Sequence, residues 1–185
     1  YLYTSPILID STTVIRAIII KSDSLMSKVV TSTYLFLADI INQPNDPDGY
    51  PIEWGPYTAI EGTAIADYEM DPEITQDPNY SALIEEALRS IPTISIVTDI
   101  DHFFSTSKDS LKGGIYIYTG PPLDRENDGL GNGWERPASV EFFTSDGERE
   151  FQVDCGVRLQ GGHSRRPEKS PKHSLRLCFR SKYGP

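Results

Sequence analysis

Cysteine is almost absent from this chain: Cys155 and Cys178 are the two in 185 residues, too few for a disulfide framework. In FQVDCGVRL the first shares its face with Phe151, Val153, Val157 and Leu159, whereas in SLRLCFR the second lies opposite Leu175, Leu177 and Phe179. If both apolar faces meet one core, paired strands point the two thiols to opposite sides of the sheet, so both are expected free. Histidine is also scarce, and His102, His163 and His173 lack Cys or His partners at zinc-ligand spacing. No G-x-S-x-G, H-E-x-x-H or Cys/His nucleophile pattern occurs. No apolar run approaches the roughly 20 residues of a bilayer-spanning helix, and Ile15 to Ile20 is broken by Arg16. No membrane span is expected, and no signal peptide is visible behind Tyr1. Basic residues are few, 17 against 27 acidic, for a net charge of −10. That deficit is uneven. From Phe151 onward, Arg158, Arg165, Arg166, Lys169, Lys172, Arg176, Arg180 and Lys182 face two acids, Asp154 and Glu168, leaving this tail at +6 and the first 150 residues at −16. The acidic part is unsuited to wrapping nucleic acid or an anionic membrane, and any anionic ligand is expected at the tail.

Proline and glycine are plentiful, 14 of each, and predict many turns and few long helices. YTSPILIDSTTVIRAIIIKS is rich in β-branched residues and reads as strand, turn, strand, with VVTSTYLFL from Val29 to Leu37 returning as an antiparallel neighbour. Because the first strand begins near residue 1, earlier strands of this sheet are expected to lie outside the chain. Asn42 to Trp54 carries Pro44, Pro47, Gly49 and Pro51, which read as a linker or ordered loop. Between Pro78 and Arg89, Asp77 stands at the N-cap, and Tyr80, Leu83, Ile84, Ala87 and Leu88 fall on one face of an amphipathic helix of about three turns. After Pro92 the pattern is β again: TISIVTD, GGIYIYTG, RPASVEFFT, FQVDCGVRLQ and SLRLCFR.

The strongest chemical signal is the loop joining the last two strands, GGHSRRPEKSPKHS, from Gly161 to Ser174. Adjacent glycines Gly161 and Gly162 let backbone N–H groups approach phosphate oxygens, Ser164 adds a hydroxyl, and Arg165, Arg166, Lys169 and Lys172 supply charge. Arg158, Arg176 and Arg180 extend the patch along the flanking strands. The pattern reads as a phosphate-binding strand-loop-strand or as a solvated basic hairpin, since it fits no P-loop spacing. DRENDGLGNGWE, Asp124 to Glu135, spaces its acids like a calcium loop. Glu126 and Gly131 depart from that pattern, so a polar turn is the competing reading. Asp99 and Asp101 form a D-x-D that either holds a divalent metal or caps a turn.

IPTISIVTD, GIYIY, WERPASVEFF and FQVDCGVRLQGGHSRRPEKSPKHSLRLCFRSKYGP, covering residues 91–185, resemble the N-terminal part of CotH-family atypical kinases. YTSPILIDSTTVIRAIIIKSDSLMSKVVTSTYLF resembles the end of a chitobiase/hexosaminidase C-terminal-type β-sandwich module, which bacterial secreted and surface proteins place before CotH regions. These resemblances imply an α+β, mostly β chain: a sandwich edge over 1–37, a Pro-rich connector with one helix over 38–90, and the β-rich N-terminal lobe of a kinase-like domain over 91–185. They imply ATP with Mg²⁺ as cofactor, phosphoryl transfer to protein Ser or Thr, and an extracellular or cell-surface location. Gly161, Gly162, Ser164 and Arg165 match the phosphate-side loop, with Lys172, then Lys169, as the nucleotide-binding lysine. The family's catalytic acids lie downstream, so this stretch is expected to be inactive alone and, lacking its partner strands, to aggregate. The alternative is a non-enzymatic surface protein whose basic hairpin meets anionic polysaccharide.

Overall fold

A computed structural model describes residues 2–22, 25–56, 63–107, 111–116, 134–161 and 172–184. Strand outweighs helix, 32% against 17%, giving the mixed, mostly β content expected. The chain divides into two compact units, one of residues 1–43, 69–95 and 141–152, the other of 44–68, 96–140 and 153–185.

In the first unit, β1 (Thr13–Ala17) pairs antiparallel with β4 (Val30–Tyr34), Thr13 opposite Tyr34 and Ala17 opposite Val30, as the β-branched runs predict. The short strands β2 (Ile20–Ser22) and β3 (Leu25–Met26) form a second antiparallel pair. Residues 2–11, read in the sequence as including a strand, form none, and Leu2, Tyr3, Ile7 and Leu8 are exposed. The helix α1 (Leu37–Ile41) packs against α3 (Ile84–Arg89). The latter is the expected amphipathic helix in shortened form. Asp77 accepts from the Asn79 backbone N–H at 2.7 Å, but the first turn, Ser81–Leu83, is 3₁₀ and separate from α3. Of the expected apolar face only Ile84 is buried, and the turn before it is held by backbone bonds, Tyr80 N–H donating to Asp77 O at 3.0 Å and Leu83 N–H to Tyr80 O at 2.8 Å. A one-turn helix α2 (Pro72–Thr75) precedes it, capped by the Asp71 carboxylate on the Glu73 N–H.

In the second unit, β5 (Glu53–Pro56) and β6 (Thr63–Ile65) pair antiparallel. They extend regular structure into the end of the Pro-rich stretch. Trp54, Ala64 and Ala66 are buried there with Tyr68, Phe104 and Tyr116. A second cluster holds Ile115, Ala138, Val140, Cys155 and Val157, with Ile96, Phe103, Trp134, Val153, Leu175 and Leu177 around it.

Four strands form one sheet in the order β10-β9-β8-β7: β7 (Thr93–Val97), β8 (Arg136–Phe143), β9 (Arg149–Leu159) and β10 (Leu175–Cys178). The β8–β9 turn closes through Gly147 at φ +84°, where the Thr144 N–H donates to Glu148 O and the Gly147 N–H to Thr144 O, each at 3.0 Å. Cys178 stands opposite Gly156, one residue from Cys155, so the two thiols face opposite sides and both are free, as the alternation predicts.

GGIYIYTG departs from its expected strand. Over Gly113–Tyr116 the chain instead lies against α4 (Ile100–Phe104), with Ile115 N–H donating to His102 O and Tyr116 N–H to Phe103 O, each at 2.9 Å. A Cβ on Gly114 would sit 2.3 Å from the Phe103 carbonyl oxygen, so only glycine permits this approach. Residues 117–120 of that segment lie outside the described residues.

Candidate anion site and two buried carboxylates

The basic loop is the end of a regular hairpin. Leu175 opposite Leu159 is the last strand pair, and the Gln160 N–H closes the ladder on Ser174 O at 2.8 Å. Gly161 then turns the chain at φ +94°. Residues 162–171, carrying Gly162, Ser164, Arg165, Arg166 and Lys169, lie outside the described residues.

Where the chain resumes, exposed Lys172 places Nζ 3.4 Å from Asp67 Oδ1. His173 anchors it: the ring is buried beside Tyr116, centroids 5.0 Å apart, and beside Trp54 at 6.0 Å. The His173 backbone N–H donates to Tyr116 Oη at 3.1 Å. Burial pushes the Tyr116 phenol upward, more than that N–H lowers it, and Asp67 adds to the rise. The aromatic bed continues through Trp54, whose Nε1–H donates to Tyr68 Oη at 3.0 Å, while Tyr68 donates to Pro51 O at 2.9 Å. The lysine therefore follows a residue packed into a rigid floor.

The strands below the loop concentrate charge. Arg176 stands directly opposite Arg158 in the β9–β10 register. Like charges directly opposite on a ladder repel, so the arrangement disfavours the hairpin unless counter-charge is near.

Glu135 closes the Asp124–Glu135 stretch, whose other residues except Trp134 lie outside the described ones. Its buried carboxylate takes Tyr183 Oη–H at 2.8 Å on Oε1, Lys182 Nζ at 3.1 Å on the same oxygen, and Arg180 Nη2 at 3.1 Å on Oε2. Burial pushes this carboxyl up. The hydrogen bonds from Tyr183 and Lys182, with the charges of Lys182 and Arg180, outweigh that and hold it below the ordinary carboxylate value. Arg180 thus serves an internal ion cluster, and Glu135 is committed to cations of the same chain.

Asp99 and Asp101 flank the start of α4 without a side-chain cap on the helix. No group of three or more metal-ligating side chains occurs among the described residues. His102 Nδ1 lies 2.8 Å from Thr98 Oγ1, and because that hydroxyl gives its proton to Pro137 O at 2.7 Å, Nδ1–H is the donor to it.

A polar cluster in the first unit was not anticipated. Glu141, in β8, is fully buried and accepts from Thr33 Oγ1 on Oε2, and Thr33 also meets Ser95 Oγ at 2.8 Å. Arg149, at the start of β9, places Nη1 3.1 Å from Glu141 Oε1 and 3.2 Å from both Thr31 O and Ser32 Oγ. Its only sequence signal is an acid interrupting the apolar run of RPASVEFF. The cluster edges a cleft of about 690 Å³.

No helix among the described residues is long and apolar enough to cross a membrane. No protein-family model, curated protein or solved structure matches the chain.

Proposed function

We propose that the β9–β10 hairpin binds the phosphates of ATP, as the nucleotide-side lobe of a CotH-like atypical kinase whose parent protein transfers phosphoryl groups to protein Ser or Thr at the cell surface or outside the cell. The observation that carries this reading is the Arg158–Arg176 cross-strand pair, which sets two guanidinium-bearing residues side by side on the strands that lead to Gly161 and Lys172 at the same end of the hairpin. Gly162, Ser164, Arg165 and Lys169 complete the site in this reading. Magnesium would offset the phosphate charge, held in this reading by carboxylates of the parent protein outside this hairpin. The chain's own contribution is to orient a polyphosphate by fork and point charges.

Titration calorimetry with Mg-ATP tests the site. Lys172→Ala and Arg176→Ala should each weaken binding about tenfold, as expected for one charge-assisted contact of roughly 1.5 kcal/mol or more. Affinity unchanged by both substitutions would sink it. Saturable binding of an anionic polysaccharide that ATP does not displace would favour the non-enzymatic surface protein.

A further inference from the structure

We propose that the cleft of the first unit is a carboxylate-binding site for ligands with an apolar body, and that Arg149 is its recognition residue. Three observations converge there. First, the Arg149 guanidinium is fixed: its contacts to Glu141, Thr31 O and Ser32 all run through Nη1. Glu141, wholly buried and braced by Thr33, cannot leave to follow the arginine into solvent. Second, Nε and Nη2 make no hydrogen bond among the described residues, and the side chain, 43% exposed, lines the cleft. That free edge is the one that grips a carboxylate with two parallel N–H···O bonds. Third, Leu37, Leu88, Ile91 and Phe143 line the same cleft, and its volume of about 690 Å³ is that of small-ligand pockets.

The local charge selects the ligand. Glu141 pairs with Arg149, Glu85 pairs with Arg89 at 2.8 Å, and Asp146 adds a negative charge to the lining, so the cleft has no surplus of positive charge for a phosphate dianion. A monoanion that spends two oxygens on a fixed fork and buries a hydrocarbon chain suits it better. Such a group is presented by a free medium-chain acid or by the C-terminal carboxylate of a peptide ending in an apolar residue.

Calorimetry with octanoate, octanamide, and a peptide ending in Leu as free acid or as amide separates the sources. The acid forms should bind saturably, at least tenfold tighter than their amides, and whichever source binds tighter identifies the natural class. Arg149→Lys keeps the charge that balances Glu141 but removes the fork, and should weaken binding about tenfold. Ile91→Asp changes a residue 55% exposed, so it should fold normally while repelling the same ligands to a similar extent. Equal affinity for acid and amide, or no saturable binding of either acid, or acid binding indifferent to Ile91→Asp, would overturn the site and leave Arg149 a hydrated partner of Glu141.

Discussion

At the scale of single residues, side chains of one chemical type take different roles by environment. Burial, foremost, pushes the Cys155 thiol up to about 11, whereas Cys178 lies only half-buried. Iodoacetamide at pH 8 should therefore alkylate Cys178 first and reach Cys155 only on unfolding, as peptide mapping over time would show. Glu135 behaves in the opposite sense, with a carboxyl held below its ordinary value of 4.5 in the folded chain. The unfolded chain then takes up protons first as pH falls, so the stabilisation from Glu135 is complete above its ordinary value and disappears as pH drops through the lowered one. Glu135→Gln should cost about 2 kcal/mol at neutral pH and flatten that acid limb in urea midpoints measured against pH. Lys172 differs again. Its ion pair with Asp67 is solvent-exposed, so Lys172→Ala should change stability by less than about 1 kcal/mol, which makes it a clean probe of phosphate binding.

At the scale of elements, alternation described β9 and β10, and β-branched and aromatic runs bounded by turn residues located β4, β7 and β8. What alternation misses is the element defined by its neighbour. Gly113–Tyr116 has strand-like composition but lies against α4, because Gly114 admits the Phe103 carbonyl at the end of α4 more closely than any side chain would allow. Gly156 makes a similar point within β9. A Cβ there would come within 2.7 Å of Glu135 Oε1 and of Tyr183 Cε2, so the strand's glycine is the space in which the Glu135 cluster forms. Gly156→Ala should destabilise by about 1–3 kcal/mol, more than alanine's intrinsic strand preference returns, and chemical denaturation measures it directly. Trp54→Ala, which empties the floor under His173, should cost about 3–5 kcal/mol.

At the scale of the whole molecule, the two units are stabilised differently. The second has two apolar clusters, and Leu175 and Leu177 pack partly against one of them, leaving Phe179 at 62% exposure. The first buries Thr31, Thr33 and Glu141 beside Ile84 and leaves many apolar side chains near its start in solvent. Removing residues 1–8 should leave the melting temperature within about 2 °C while slowing aggregation, followed by scanning fluorimetry with light scattering; a large drop would show that this segment is packed. Sequence by itself determined the mostly β content, the β1–β4 pairing, the opposed thiols and the concentration of positive charge in the last hairpin, because each follows from local periodicity or simple counting. Only the tertiary structure decided that Arg158 meets Arg176, that His173 lies between Trp54 and Tyr116 from two separate segments, and that Glu141 holds Arg149 at the edge of a cleft. Those arrangements depend on register and on residues up to 118 positions apart, as for Arg149 and Thr31, and no pattern within one segment encodes which distant side chain will neutralise a buried charge.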